Sequence, residues 1–311
     1  MAEMIEKLGM GWLPDYPDFR DYTVEQTEVA PKLKLLGQKD SVNAMLTKAG
    51  VAKPAVKLPT SVDLKAWCSP IEDQGSLGSC TANAGVGLLE YFERKAFGKH
   101  IDASRLFLYK ATRDLLHWTG DTGAFLRKTM EAMVLFGVLP EEYWPYKPFD
   151  VIGPQPMFDT EPPAFCYAFA QNYQAISYYR YDPPGTPKDV LLNRIKTNLA
   201  ANLPAMFGFT VYSSYSQAAT TGKIPFPTPG ERILGGHAVD AVGYDNNMKI
   251  KNTNPGGVET TGALLIRNSW GTGWGISGYG WLPYEYVLRG LAIDWWSLLR
   301  NEWIDTDEFK L

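Results

Sequence analysis

The chain has 311 residues and a formal net charge of −4, with 45% hydrophobic and 21% charged residues. That balance lacks the clustered basic footprint a nucleic-acid partner needs, and three cysteines exclude a dense disulfide scaffold. The three cysteines and three histidines show no C-x-x-C or H-x-x-x-H spacing, so neither a metal site nor any other cofactor is expected.

Residues 1–7 carry no basic region followed by an apolar run, and no stretch approaches the roughly 18 apolar residues of a membrane helix. The expectation is a cytoplasmic protein with no membrane partner; export by a leaderless route stays open. Residues 1–57 read as an N-terminal arm or prosegment ahead of a domain at 58–311. In the arm, Asp15, Asp18, Arg20 and Asp21 alternate with Pro14, Tyr16, Pro17, Phe19 and Tyr22. That composition suits an extended strap anchored by aromatics, and equally a partly disordered tail. One short helix is expected at 41–49.

The loop 73–79 leads into a helical pattern over 80–97, with Ser79 as N-cap and Gly98 as the terminating glycine. Ala84, Leu88, Leu89 and Phe92 fall on one face of it. Gly85 and Gly87 each cost about 1 kcal/mol relative to alanine, which the close approach of another segment would explain. Further helices are predicted at 105–116, at 125–136 closed by Gly137, and at 188–201, with a proline- and aromatic-rich surface loop over 140–163. From Pro204 the pattern turns to strands, including 237–244 and 263–267. Helices first and strands later predict an α+β chain of two lobes, helical at about 58–175 and β at about 176–311, with a cleft between.

A cysteine attacks a carbonyl only as thiolate, and a helix N-terminus or a neighbouring imidazolium stabilises that form. Cys80 stands where the first turn should begin. Gly75 and Gly78 let the preceding loop approach a substrate, and Gln74 carries an amide donor suited to an oxyanion. Alone, such a cysteine is more often a buried structural thiol. Three segments together argue otherwise. Gln74-Gly75-Ser76-Leu77-Gly78-Ser79-Cys80 resembles the nucleophile loop of the papain family. Gly236-His237-Ala238-Val239-Asp240-Ala241-Val242-Gly243-Tyr244 is similar to the family's histidine strand. Asn268-Ser269-Trp270-Gly271-Thr272-Gly273-Trp274-Gly275, followed by Gly278-Tyr279-Gly280, is similar to its asparagine segment. The resemblance covers about 58–290.

It implies a two-lobe fold with a helical left lobe, a β-sheet or barrel right lobe and an active-site cleft between them. It further implies Cys80 as nucleophile, His237 as base, Asn268 as the group orienting the imidazole, and Gln74 with the Cys80 N–H as oxyanion donors. Trp270 would shield the His237–Asn268 hydrogen bond. Gly123, Gly78, Gly236, Trp270 and Trp274 would line the substrate site. Leu77 and Thr81 depart from the family's usual cysteine and tryptophan, so the disulfide made by that cysteine is not expected.

His237 and Asn268 lie 157 and 188 residues after Cys80, a long spacing assigned to extra loops at 166–187 and 245–262. Cys68, Cys166, His100 and His117 read as structural, and Asp240 as pointing away from His237. The implied activity is that of a thiol endopeptidase on extended peptide or protein substrates, restrained by an arm lying over or beside the cleft. A ligase or transpeptidase would need the same groups, and a silent peptide-binding module is the weaker third reading.

Overall fold

The computed structural model describes residues 8–19, 21–35, 37–51, 57–173 and 177–311. In the arm, α1 (Pro31–Leu35) and α2 (Val42–Lys48) follow an extended run. Ser41 caps α2 by accepting from Ala44 N at 3.2 Å. After β1 (Ser61–Asp63) come α3 (Cys80–Phe97), α4 (Arg105–Asp114) and α5 (Leu126–Leu135). A small hairpin, β2 (Val151–Ile152) with β3 (Gln155–Pro156), interrupts the expected loop, and α6 (Ala164–Ala170) closes the helical lobe. The second lobe holds β4 (Ser177–Arg180), α7 (Lys188–Ala200), β5 (Ala205–Tyr212), β6 (Ile233–Lys251) and β7 (Glu259–Arg267). It ends with β8 (Tyr279–Pro283), α8 (Tyr284–Leu288), β9 (Ala292–Leu299) and α9 (Asn301–Ile304).

A helical lobe and a sheet lobe are both present, but the barrel is not. The seven strands form one open antiparallel sheet in the order β4-β9-β5-β6-β7-β8, with β1 paired to β6. Among the described residues the ends of that order, β4 and β8, form ladders only with β9 and β7, and the outer side of β8 carries a single bridge from Trp281 to Lys223, so the sheet has two edges and no closing ladder. The β4 edge is partly covered by the arm: Thr23 bridges Arg180, and Arg180 N donates to Tyr22 O at 2.7 Å. A covered edge does not need closure to escape stray pairing. The long spacing between Cys80 and His237 is also not all loop. Part of 166–187 is α6 and β4, and most of 245–262 is the long arm of the β6–β7 hairpin, paired from Asp245–Ala263 out to Lys251–Glu259.

Helix α3 is the axis on which both lobes pack. It is buried from Cys80 to Phe92 and contacts α4, α5 and β6. Gly98 ends it in the left-handed region at φ 71°. The two internal glycines mark the close approaches anticipated for them. A Cβ at Gly85 would lie 3.0 Å from Thr129 Cγ2, and one at Gly87 would lie 2.1 Å from Arg267 Nη1. Arg267 cannot retreat, because its other terminal nitrogen donates to Ser69 Oγ (3.0 Å) and Pro70 O (2.8 Å). Gly87→Ala is therefore expected to destabilise the fold by about 1–3 kcal/mol through overpacking, read as a fall of several degrees in Tm by thermal unfolding.

The second half of the arm is built into the domain. Val42, Met45 and Leu46 are buried, Asn301 Oδ1 accepts from Lys39 N (3.0 Å) and Asp40 N (3.2 Å), and Leu311 N donates to Ala49 O (2.9 Å). Trp303 of α9 stacks on Phe92 of α3 at 4.9 Å. Residues 37–51 thus hold the C-terminal segment against the central helix.

Candidate active site

The loop before α3 is fixed from several sides. Gln74 N donates to Ser269 O (2.8 Å), and the Gln74 Oε1 accepts from Ser269 Oγ (2.5 Å). Tyr146 Oη donates to Gln74 O (3.0 Å) and lies 2.7 Å from Ser79 Oγ. Ser79 therefore does not cap α3 with its side chain as expected; its hydroxyl is engaged by Tyr146 and by Asn83 Nδ2. Asp121 accepts from Gly78 N (3.0 Å) and Tyr109 Oη (2.6 Å), tying the loop to the segment that carries Gly123. The result is a cysteine at the first residue of an 18-residue helix, facing the sheet lobe.

Across the lobe boundary, His237 is the fifth residue of β6, and Asn268 directly follows β7. Ala238 N points at the Cys80 sulfur from 3.4 Å, so the thiol meets the residue next to the imidazole. His237 Nε2 lies 2.8 Å from Asn268 Oδ1. That amide is oriented: Ser269 N donates to the same Oδ1 (2.8 Å), and Asn268 Nδ2 donates to Tyr215 Oη (3.4 Å). An oxygen at that end requires the proton on Nε2, which leaves a lone pair on Nδ1. Nδ1 is buried and, among the described residues, has no hydrogen-bond partner. Trp270 stacks on the imidazole at 4.5 Å and 25°, and Trp274 stacks instead on Tyr215 at 5.6 Å.

Cys80, His237 and Gln74 are fully buried. Burial pushes the Cys80 thiol up to about 12, against the pull of the Ala238 and Trp12 backbone N–H groups. Burial likewise lowers His237 to about 4, with the Asn268 hydrogen bond opposing it. What buries them is the arm. Gly9 O accepts from Gln74 Nε2 (3.0 Å) and Trp270 Nε1 (2.9 Å), and Gly9 N donates to Gly75 O (2.8 Å). Gly11 N and Trp12 N both approach Gly236 O at 3.2 Å. Ala124 N donates to Gly11 O (2.8 Å), and Leu13 N donates to Ala124 O (3.1 Å). Gly11 and Gly123 have φ of 124° and 71°, and a Cβ on Gly123 would lie 2.2 Å from Gly11 O. Both positions need glycine on conformation and on space. The Trp12 side chain fills a pocket against Gly208 and Gly236.

Outside the cleft the arm is clasped by Arg127. Its guanidinium donates to Asp21 Oδ1 (2.8 Å) and Oδ2 (2.9 Å), to Tyr16 O (2.7 Å) and to Asp15. Asp21 also lies 3.5 Å from Arg180.

The structure thus brings together Cys80, His237, Asn268 and Gln74, and sets Gly78, Gly123, Gly236 and Trp270 against the arm. Trp274 lies one layer back, behind Tyr215. Asp240 faces Arg267, at 3.8 Å. Cys68 and Cys166 are buried free thiols, unpaired with each other. Among the described residues no group of three or more His, Cys, Asp or Glu side chains could hold a metal, and no helix is long and apolar enough to cross a membrane. Tyr215, Ser269, Asp121 and Tyr146 were not anticipated. Each has a partner 43 to 195 residues away; Ser269 stands inside the asparagine segment, but no local pattern ties its hydroxyl to Gln74.

A helical lobe and a sheet lobe meeting at a cysteine, a histidine and an asparagine define a cysteine-based hydrolase. The chain belongs to the papain family of cysteine proteases, whose family model matches residues 58–287. It is similar to xylellain, a cysteine protease from Xylella fastidiosa, at 32% identity and a TM-score of 0.70, over 94% of this chain and 97% of that one. An uncharacterized peptidase C1-like protein of Acanthamoeba polyphaga mimivirus is 36% identical over 73% of this chain and 68% of its own length. Digestive procathepsin L 3 of Tenebrio molitor shares the fold, at 19% identity and a TM-score of 0.58, over 80% of this chain and 73% of that one.

Proposed function

We propose that this protein is an endopeptidase that cleaves extended peptides through an acyl-thioester on Cys80, and that residues 8–13 hold it closed until the arm is displaced. The observation that carries this reading is the Gly9 carbonyl between Gln74 Nε2 and Trp270 Nε1, inside an extended stretch that enters from Leu8 and leaves through Leu13. A cleft that passes a chain at both ends suits internal bonds rather than chain ends.

The arm survives in the cleft because its register is wrong for attack. The carbonyl held by Gln74 belongs to Gly9, whereas the arm's backbone amide that reaches the sulfur, alongside that of Ala238, is Trp12's. No one carbonyl carbon serves both groups, and misplacement of that order forfeits the proximity effect.

With a substrate in its place, the Cys80 thiol gives its proton to His237 Nδ1. The thiolate forms a C–S bond to the carbonyl carbon, and the oxygen takes negative charge toward Gln74 Nε2 and the Cys80 N–H. The imidazolium then protonates the departing amine as the C–N bond breaks. Water attacks the thioester, His237 accepts its proton, and the acid product leaves with the thiol restored. Asn268 and Trp270 act through the ring, holding Nδ1 toward the sulfur.

Two outcomes follow. Asn268→Ala frees the imidazole to turn, and kcat is expected to fall about tenfold to a hundredfold with KM little changed, measured on a fluorogenic peptide. In the closed chain burial holds the thiol up at about 12, so it stays protonated at pH 7. Alkylation of Cys80 by iodoacetamide should then be slow at neutral pH and climb only toward alkaline pH. Once the arm is displaced, burial is relieved, the thiol falls and the imidazole rises, so the rate should reach a plateau in the acid-to-neutral range. The same alkaline profile with and without the arm would count against the reading.

A further inference from the structure

The two oxyanion donors belong to residues 74 and 80, the ends of one short loop, and a single phenol oxygen from outside that loop reaches both ends. Tyr146 Oη lies 3.0 Å from Gln74 O and 2.7 Å from Ser79 Oγ, the hydroxyl of the residue before Cys80. A carbonyl only accepts, so the phenol proton goes to Gln74 O and the serine donates to the phenol. Asn83 Nδ2 in turn donates to Ser79 Oγ (3.1 Å). The bonds run one way, from Asn83 through Ser79 and Tyr146 to Gln74, and in such a chain each bond strengthens the next. Burial pushes the Tyr146 phenol up to about 12, with the Ser79 bond and Arg105 opposing it, so the hydroxyl keeps its proton at neutral pH.

This bridge fixes the direction of the Gln74 amide. The Gln74 main chain is held at its N–H by Ser269 O (2.8 Å) and at its oxygen by Tyr146. The side-chain Nε2 has two protons. One goes to Leu77 O (2.9 Å), inside the loop, and the other points into the cleft, where Gly9 O takes it (3.0 Å). A shift at either end of the loop turns that second proton away from the cleft. The phenol ring is itself clamped. The Arg105 guanidinium lies 4.0 Å from the ring centre, donates to Glu141 Oε1 (3.1 Å) and pairs with Glu72 (2.9 Å), two residues before Gln74. Glu141 Oε1 also accepts from Tyr146 N (3.2 Å). Arg105 is buried, and a desolvated cation over a ring face is held more firmly than an exposed one.

Resting on the peptidase reading, we propose that Tyr146 is a positioning residue for the oxyanion site. Its hydroxyl bridges Gln74 and Ser79, and so keeps the Gln74 amide and the Cys80 N–H aimed at one point. It acts through those two residues and not on the substrate or the thiol. Its loss therefore slows the steps in which a carbonyl oxygen gains charge and spares those in which none does.

The test uses the full-length chain carrying Trp12→Ala, which loosens the arm, and compares two reactions of Cys80 with one peptide sequence. A fluorogenic peptide amide is cleaved through a charged carbonyl oxygen. A 2-pyridyl disulfide carrying the same peptide exchanges at sulfur instead: Cys80 bonds to the peptide's sulfur, the S–S bond breaks, and pyridine-2-thione leaves with the thiol's proton. Tyr146→Phe removes one oxygen and keeps the ring on Arg105. It is expected to lower kcat/KM for the amide about tenfold relative to the exchange rate, with the loss in kcat and not in KM. A looser fold, an altered arm or an altered thiol would move both rates together and leave their ratio alone. Ser79→Ala cuts the other half of the bridge and should lower the same ratio; it decides the matter if Tyr146→Phe does not fold. An unchanged ratio overturns the role of Tyr146 and leaves the peptidase reading standing. Exchange at Cys80 with no turnover of the amide in the parent chain overturns both.

Discussion

A chain that begins at Asp21 is expected to hydrolyse peptides at least a hundredfold faster than the full-length protein. The truncation removes the segment that meets Gln74, Gly75, Ala124, Gly236 and Trp270, together with the buried Trp12 side chain, whose indole N–H donates to Asp294 Oδ2 at 3.1 Å. Burial of one large side chain contributes about 1.5–3 kcal/mol, and a hydrogen bond to a carboxylate adds a comparable amount. Each 1.4 kcal/mol is tenfold in the closed population, so two orders of magnitude is a conservative figure. Steady-state kcat/KM on one fluorogenic peptide measures it, and equal activity of the two chains would refute the closure.

Where the cut falls matters. Starting at Leu58 also deletes Val42, Met45 and Leu46, three buried side chains whose burial contributes roughly 5–8 kcal/mol together. That is comparable to the whole stability of an ordinary domain. The shorter chain is expected to unfold or aggregate rather than to be activated, which thermal unfolding would reveal. The arm is thus two devices in series: a plug at 8–13 and a structural strap at 37–51, with the Arg127 clasp on Asp15 and Asp21 between them.

Cys80→Ala is the second large effect: kcat/KM should fall by at least about 10⁴-fold, while the fold is retained. The side chain lost is small, and the helix start does not depend on it. The Gln74, Asn268 and Trp270 contacts survive the change. Activity within tenfold of wild type would mean that the chemistry lies elsewhere. Cys68 and Cys166 offer no substitute, since both are buried and burial raises both thiols.

Much of the site was legible because its signals are local. The helix at Cys80 follows from an apolar periodicity closed by Gly98, and the loop, the histidine strand and the asparagine segment each stand as short contiguous runs. Composition left the arm open between a strap and a partly disordered tail, and nothing in the chain says that Trp12 meets Asp294 across 282 residues. The openness of the sheet was hidden for the same reason, since closure depends on whether two distant strands pair, not on either strand's own pattern. Ser79 misled because its cap chemistry was real and a tertiary partner, Tyr146, claimed the hydroxyl first. The helix Ala164–Ala170 was read as loop because it is short and follows a proline-rich run.

The most direct measurement is site-resolved mass spectrometry after brief exposure to a peptidyl chloromethyl ketone at neutral pH, on the full-length chain and on the chain beginning at Asp21. A covalent adduct on Cys80 alone, forming at least a hundredfold faster in the shortened chain and blocked by a competing peptide substrate, is the predicted result. Adduct on Cys68 or Cys166 with Cys80 untouched, or equal rates at Cys80 in the two chains, would contradict it.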